Sequence, residues 1–190
     1  DCLLSRGLGD VYKRQVDYLL LDRGEFVIMS SAVANPALSS EPLATGRLVV
    51  IVPEGHPLAE RSEISVRDLA EEDFIGIDPE DPYGAIIARP FVEAGIAPRY
   101  AMRGRFAQTL VSLVRHGLGV SLIDEFSVAE VYMPGIVRRP LAERAGITAY
   151  AVTRKGRPLS SYAELAIDRF RREMAAAVAR ESWSDSPAAE

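Results

Sequence analysis

A chain of 190 residues, 48% of them hydrophobic, is long enough to bury the core of one domain or of two small lobes. Its formal net charge is -5, with basic residues scattered among acidic ones, so it offers no dense positive face to a phosphate backbone and direct nucleic-acid binding is not expected. The one cysteine, Cys2, excludes an internal disulfide framework and a multi-cysteine metal site; with no membrane-length apolar run and no secretory leader pattern, a cytoplasmic location without membrane contact is expected.

Residues 1–15 lack an amphipathic period and read as an artefactual or disordered leader. From Phe26 onward, short apolar runs alternate with longer amphipathic segments. Phe26–Met29 predicts a buried strand. Leu38–Leu43 and Arg47–Val52 predict two more, with Gly46 as the turn between them; the second is continuously hydrophobic, as a strand covered on both faces is. Ser65 is placed to cap a short helix ending at Ala70, and Phe74–Ile77 predicts a further strand. The turn formers of Asp78–Gly84 lead into a helix over Ala85–Ala94, ended by Gly95 and kinked or shortened by Pro90.

A strand at Arg99–Met102 and a helix over Phe106–His116 follow, the helix carrying an apolar face of Leu110, Val111, Leu113 and Val114 and ending at Gly117 and Gly119. Beyond it the pattern predicts a strand at Val120–Ile123, a short helix at Glu125–Val131, and strands at Ile136–Leu141 and Ile147–Thr153. The last element is a long helix in which Ser161 and Glu164 form a capping box and Tyr162, Leu165, Ala166, Phe170, Met174 and Val178 share the buried face. Residues 181–190 read as a disordered tail. The recurring strand, loop and helix predict an α/β fold with a parallel or mixed sheet and ligand contacts at the carboxyl ends of strands.

Enzyme signatures are missing: there is no phosphate loop, no Gly-x-Ser-x-Gly elbow and no His-Glu-x-x-His. Gly117-Leu-Gly119 follows a helix and has Leu at 122, so it reads as a helix cap rather than a dinucleotide fingerprint. His56 reads as a solvated loop residue and His116 as the last turn of its helix, neither with a metal or nucleophile partner nearby in sequence. Asp78, Glu80 and Asp81 read as turn and capping residues in preference to an acid–base pair or a cation site. No cofactor, metal or catalytic residue is expected.

Eight segments occur in a familiar order: Asn35–Leu38, Glu41–Leu43, Leu48–Pro53, Gly55–Leu58, Asp68–Ala70, Phe74–Ile75, Leu113–Val120 and Arg154–Leu159. That ordered set, spanning Val16 to Met174, resembles the effector-binding domain of LysR-type transcriptional regulators. The resemblance implies a fold like a type-two periplasmic binding protein, with two Rossmann-like lobes joined by crossing strands. Residues 16–50 and 146–180 would form the first lobe, and 51–145 the second. It further implies that the first lobe is incomplete, that DNA is bound only through a missing N-terminal winged helix-turn-helix, that the full-length protein is a homo-oligomer, and that the partner is a small-molecule effector. Pro82–Gly84, Phe106–Leu110 and Val120–Asp124 look most like the subgroup responsive to opines and amino acids, which implies an amino acid, an opine or another carboxylate. The rival reading is a transport solute-binding protein of the same fold; a lyase or dehydratase on a two-lobed scaffold is more distant.

Three strand-following segments are expected to converge on the ligand: Ser30 and Ser31 after the first strand, Tyr83 and Gly84 at the start of one helix, and Gln108 and Thr109 in the first turn of another. Amides near Gly84 and at Phe106–Thr109 would hold a carboxylate, hydroxyl and amide side chains would orient it, and Tyr83 would cover it. The alternative is that Ser30, Ser31 and Thr109 serve only as caps and turn residues.

Overall fold

The protein is described here by a computed structural model that covers residues 10–128 and 133–180. Cys2, the predicted tail and the last three residues of the helix expected at Glu125–Val131 lie outside the described residues. So do residues 1–9 of the expected leader, but its end is ordered: Asp10 opens helix α1 (Asp10–Leu20), whose Leu19 is fully buried. The period missed in the sequence is set by Tyr12, Val16, Leu19 and Leu20, which pack together against the sheet.

The chain order after α1 is β1 (Phe26–Met29), β2 (Leu38–Pro53), α2 (Val66–Ala70), β3 (Phe74–Ile77), α3 (Pro82–Glu93), β4 (Tyr100–Gly104), α4 (Ala107–Arg115), β5 (Val120–Asp124), β6 (Ile136–Pro140), β7 (Gly146–Arg154) and α5 (Ser161–Arg180). Strand β2 is the organising element. It is one strand of 16 residues and not two. Gly46 makes no turn: a Cβ there would lie 2.6 Å from Glu125 Oε1 and 2.7 Å from Phe126 Cζ, so the glycine marks a close approach within a strand.

The first half of β2 pairs antiparallel with β7, from Leu38 opposite Arg154 to Arg47 opposite Gly146, and β7 pairs in turn with β1. Its second half, from Leu48, pairs with β5 on one side and β6 on the other. Strand β3 lies between β5 and β4, parallel to both. The result is a mixed α/β architecture in which β2 carries the chain from a first sheet, β1-β7-β2, into a second, β4-β3-β5-β2-β6. The partner change falls at Arg47 and Leu48.

Each sheet is covered on both faces, as alternation along a strand requires. In the second sheet Leu48, Val50 and Val52 face Val66, Leu69, Ile87 and Phe91 of α2 and α3, while Val49 and Ile51 face Leu110, Val111 and Val114 of α4. All four residues of β3 and all five of β5 are buried, which is why β3 reads as an unbroken apolar run and β5 as an apolar run interrupted only by Ser121 before Asp124 ends it. In the first sheet Val152 turns toward Leu19 of α1 and its neighbour Ala151 toward Ile167 of α5.

Helix ends follow the local chemistry. Ser65 caps α2 in a full capping box with Asp68. There burial pushes the Asp68 carboxyl up, but hydrogen bonds from the Ser65 main chain and hydroxyl and the charge of Arg61 outweigh it and leave the group below its ordinary value. Gly95 and Gly117, at φ +67° and +72°, close α3 and α4. In each case the next two amides turn back, Gly95 N–H to Val92 O and Ile96 N–H to Phe91 O, and Gly117 N–H to Val114 O and Leu118 N–H to Leu113 O. Gly117-Leu-Gly119 is thus the helix cap it was expected to be. Pro90 does not shorten α3, which runs through it with the proline on the buried face.

Two expectations for α5 fail. Its cap is Ser160, whose hydroxyl accepts from Ala163 N–H at 3.2 Å, and the carboxylate that completes the cap is the distant Glu25, taking the Ser160 amide at 2.7 Å and hydroxyl at 2.8 Å in place of Glu164. The two hydrogen bonds from Ser160 hold the Glu25 carboxyl below its ordinary value. Nor is the predicted apolar face the buried one. Ala163, Ile167 and Ala177 face the sheet, whereas Tyr162 is 84% and Leu165 63% exposed. Small alanines let the helix approach the sheet closely, and the larger residues are left on the flank.

Candidate functional site

A cavity of about 290 Å³ opens where the two sheets meet. Its floor is apolar, from Ile28 and Met29 at the end of β1, Ile147 and Ala149 on β7, Phe126 after β5, and Met174 on α5. Its polar groups are Ser30, Tyr83, Asp124 and Ser127. A second cavity of about 230 Å³ shares Ile28, Met29, Ser30 and Tyr83 with the first and continues to Tyr12, Gln15, Arg105 and Phe106. Together they form a divided cleft, with residues from both sheets on its walls.

The polar wall is built by two caps. Asp81 caps α3 by accepting Tyr83 N–H at 2.8 Å, and Pro82 fixes the first turn, so the tyrosine ring is aimed across the cleft. Asp124, at the end of β5, caps the 3-10 turn Glu125–Ser127 by accepting Ser127 N–H at 2.8 Å and the Ser127 hydroxyl at 2.7 Å. The Tyr83 hydroxyl also donates to Asp124 Oδ2 and accepts the Asp124 amide at 3.3 Å. One buried carboxylate therefore joins the start of α3 to the end of β5. Burial first, then the Asp124 charge and the hydrogen bond to it, push the Tyr83 phenol well above its ordinary value, so it stays a neutral donor.

Of the residues expected at the site, Ser30 and Tyr83 are brought together on the shared wall of the two cavities. Ser31 is half-buried but does not line either cavity. Gly84 is buried behind the wall, where a Cβ would lie 1.9 Å from the Asp78 carbonyl oxygen, and it does not line either cavity, so it is a packing position. Gln108 reaches the wall from behind, donating from Nε2 to the Ser127 carbonyl at 3.0 Å. Thr109 is exposed on the first turn of α4, away from both cavities, with its amide on Phe106 O at 2.9 Å.

The sequence reading did not find Asp124, Phe126, Ser127, Met174 or Arg105. Asp124, three residues before Ser127, carries a cap signature that could have marked it; Met174 and Arg105 carry no local signal. Asp78, Glu80 and Asp81 do turn and capping work, with Asp78 Oδ1 accepting Glu80 N–H at 3.0 Å and Asp78 Oδ2 lying 3.1 Å from Arg103. His56 is not a solvated loop residue: its Nδ1 accepts Leu58 N–H at 3.2 Å as the cap of a 3-10 turn, and Nε2 lies 3.6 Å from Glu72. Among the described residues no cluster of three metal-ligating side chains occurs, and no helix is long and apolar enough to cross a membrane.

A family model described as the LysR substrate binding domain matches residues 11–175. Among curated proteins, the chain is 25% identical over 113 residues to the transcriptional activator protein LysR of Escherichia coli, covering 60% of this chain and 36% of that protein. It is 32% identical over 117 residues to the RuBisCO operon transcriptional regulator of Allochromatium vinosum, covering 60% of this chain and 39% of that one. The chain thus spans well under half the length of these two relatives. Among solved structures it is similar to HinK, a LysR family transcriptional regulator from Pseudomonas aeruginosa, with a TM-score of 0.73 and 26% identity over 86% of this chain and 57% of that one.

Proposed function

The chain belongs to the LysR substrate-binding-domain family, and on that premise we propose that it is the effector-sensing part of a transcriptional regulator, binding a small carboxylated metabolite in the divided cleft and catalysing nothing. In this reading it works in the cytoplasm, in a homo-oligomer, and DNA is recognised by a segment outside this chain. The relatives named above are regulators, not transport proteins, which favours sensing over transport within one fold.

The observation that carries the proposal is the cleft itself: two adjoining cavities share Ser30 and Tyr83 and draw walls from both sheets, so a ligand bound there contacts both at once. The lining supports an amphipathic carboxylate such as an amino acid or an opine. Ile28, Met29, Ile147 and Met174 suit an aliphatic portion, and Ser127 and Asp124 at one end suit an amino or hydroxyl group. Toward the other end Arg105 contributes positive charge beside α4, whose N-cap residue, Phe106, offers no side-chain acceptor to the first-turn amides. Ser30 and Tyr83 orient the ligand between the two ends.

The test is isothermal calorimetry of the purified chain against a panel of amino acids and N-carboxyalkyl amino acids, each beside its methyl ester and its decarboxylated amine. Binding that requires the free carboxylate and weakens in Ser30→Ala is the expected result. Esters and amines that bind as well as the acids would remove the carboxylate assignment, and a ligand unaffected by Ser30→Ala would lie outside the cleft.

A further inference from the structure

If the cleft senses a ligand, the chain needs a way to make its state felt along the strand that joins the two sheets. At Arg47 that strand changes partners: Arg47 is the last residue of β2 opposite β7, and Leu48 is the first opposite β5, facing Asp124. The amide of Arg47 donates to Glu125 Oε1 at 2.6 Å, and its guanidinium Nε lies 3.4 Å from Glu125 Oε2. The Glu125 side chain is 1% exposed, and a carboxylate so buried is retained only where partners compensate its lost hydration. Gly46 supplies the space, since a Cβ there would collide with Glu125 Oε1 and Phe126 Cζ.

The same turn faces the cleft. Asp124 holds Tyr83 and Ser127, Phe126 lies on the cavity floor, and Glu125 between them reaches the partner-change residue of β2, its carboxylate and the Phe126 ring both pressing on Gly46. Asp124 and Glu125 are consecutive residues of one short turn that the Asp124 side chain closes on Ser127, so a shift of the cap displaces the turn that carries Glu125.

We propose that Glu125 is a positioning residue for sensing: it clamps β2 at the partner change and transmits displacement of the cleft wall at Asp124 and Phe126 into the joining strand. This rests on the reading of the cleft as the effector site. The clamp makes no contact with the cavity and acts through the turn that Asp124 caps.

Amide hydrogen exchange by NMR tests the link in the chain itself, with the Arg47, Ser127 and Val50 amides as reporters. Asp124→Asn loosens the cap and should speed exchange at Ser127; the proposal expects the Arg47 amide to speed with it by about five- to tenfold while Val50, in the fully buried part of β2, stays protected. In the reverse direction Glu125→Gln, which keeps the side-chain shape, should speed exchange at Ser127 as well as at Arg47. Ser127 faster with Arg47 unmoved in the first variant, or Arg47 faster with Ser127 unmoved in the second, would overturn the coupling. The second arm decides the matter even if Asp124→Asn does not fold. No effector enters the experiment, so failure of the ligand panel would sink the sensing role and leave the mechanical result intact.

Discussion

The two sheets solve the same problem with unequal means. In the second, β3 and β5 are buried along their whole length between α2 and α3 on one side and α4 on the other, and the core includes Phe74, Phe91 and Leu122 at 1% exposure or less. In the first, β1 has a single buried residue, Met29, and the helices that cover the sheet leave Tyr18, Tyr162 and Leu165 between 48% and 84% exposed. Its central strands give the second sheet the larger buried core, although β4 and β6 at its edges have no buried residue, so the second sheet is expected to be the more stable part and the first the more deformable wall of the cleft.

The sharpest way to break that comparison is a pair of truncations. Phe74→Ala removes a ring that packs edge-on against both Phe91 and Tyr100 and should cost about 3–5 kcal/mol in urea unfolding, against about 2 kcal/mol for Ile167→Ala under α5. Equal costs would mean that the two sheets share stability evenly. Backbone contacts should show the next largest effect. Gly84→Ala, forced onto the Asp78 carbonyl, should cost about 1–3 kcal/mol, while Gly55→Ala, with open space around it, should stay within about 0.5 kcal/mol.

At the boundary between the sheets, Tyr83→Phe takes one donor from Asp124 and should cost about 1–2 kcal/mol by thermal melting. Because the folded phenol is raised above its unfolded value of about 10, its contribution is fully present below that pH and is lost only as pH rises through the folded value. The gap between Tyr83→Phe and the parent should therefore be flat across neutral pH; a gap that changes between pH 6 and 8 would contradict the assignment.

Smaller again is Glu25→Gln at the α5 cap. The folded carboxyl is lowered, so its contribution is present above the ordinary carboxylate range and disappears as pH falls through the folded value. Its slight loss in Tm at neutral pH should vanish in acid, and a loss that persists there would mean shape rather than charge holds the cap. Smallest of all, Leu165→Lys should leave stability within about 0.5 kcal/mol, because that side chain is 63% exposed. A larger loss would show that the flank of α5 is packed after all.

What could be read from the sequence follows the same division. The second sheet was legible because its period is local: the runs Leu48–Val52, Phe74–Ile77 and Val120–Ile123 are strands by composition, and Gly95 and Gly117 end helices by their own conformation. In the first sheet the strands Phe26–Met29 and Ile147–Thr153 were legible as well, and what failed there depends on distant partners. Gly46 looked like a turn because Glu125 and Phe126, which press on it, lie far along the chain, and the cap of α5 was set one residue late because Glu25 completes it from 135 positions away. Ser30 and Tyr83 could be placed at the ends of their elements, but Asp124 and Ser127 reach the cleft by closing a turn on β5, and Met174 by a helix whose buried face small alanines decide.

Strand β2 also sets the order in which the protein can assemble. Thr45 meets Thr148 across the first sheet, 103 positions later, so the pairing of β2 with β7 waits on nearly the whole intervening chain. Closing so large a loop costs entropy before the pairing returns anything, which places refolding in the slow regime of non-local β topologies. The second half of β2 finds β5 sooner, and stopped-flow refolding should show its buried amides protected before those of β1 and β7. During synthesis, then, the first half of β2 must remain unpaired until β7 emerges, and in that interval it is an open strand edge exposed to aggregation.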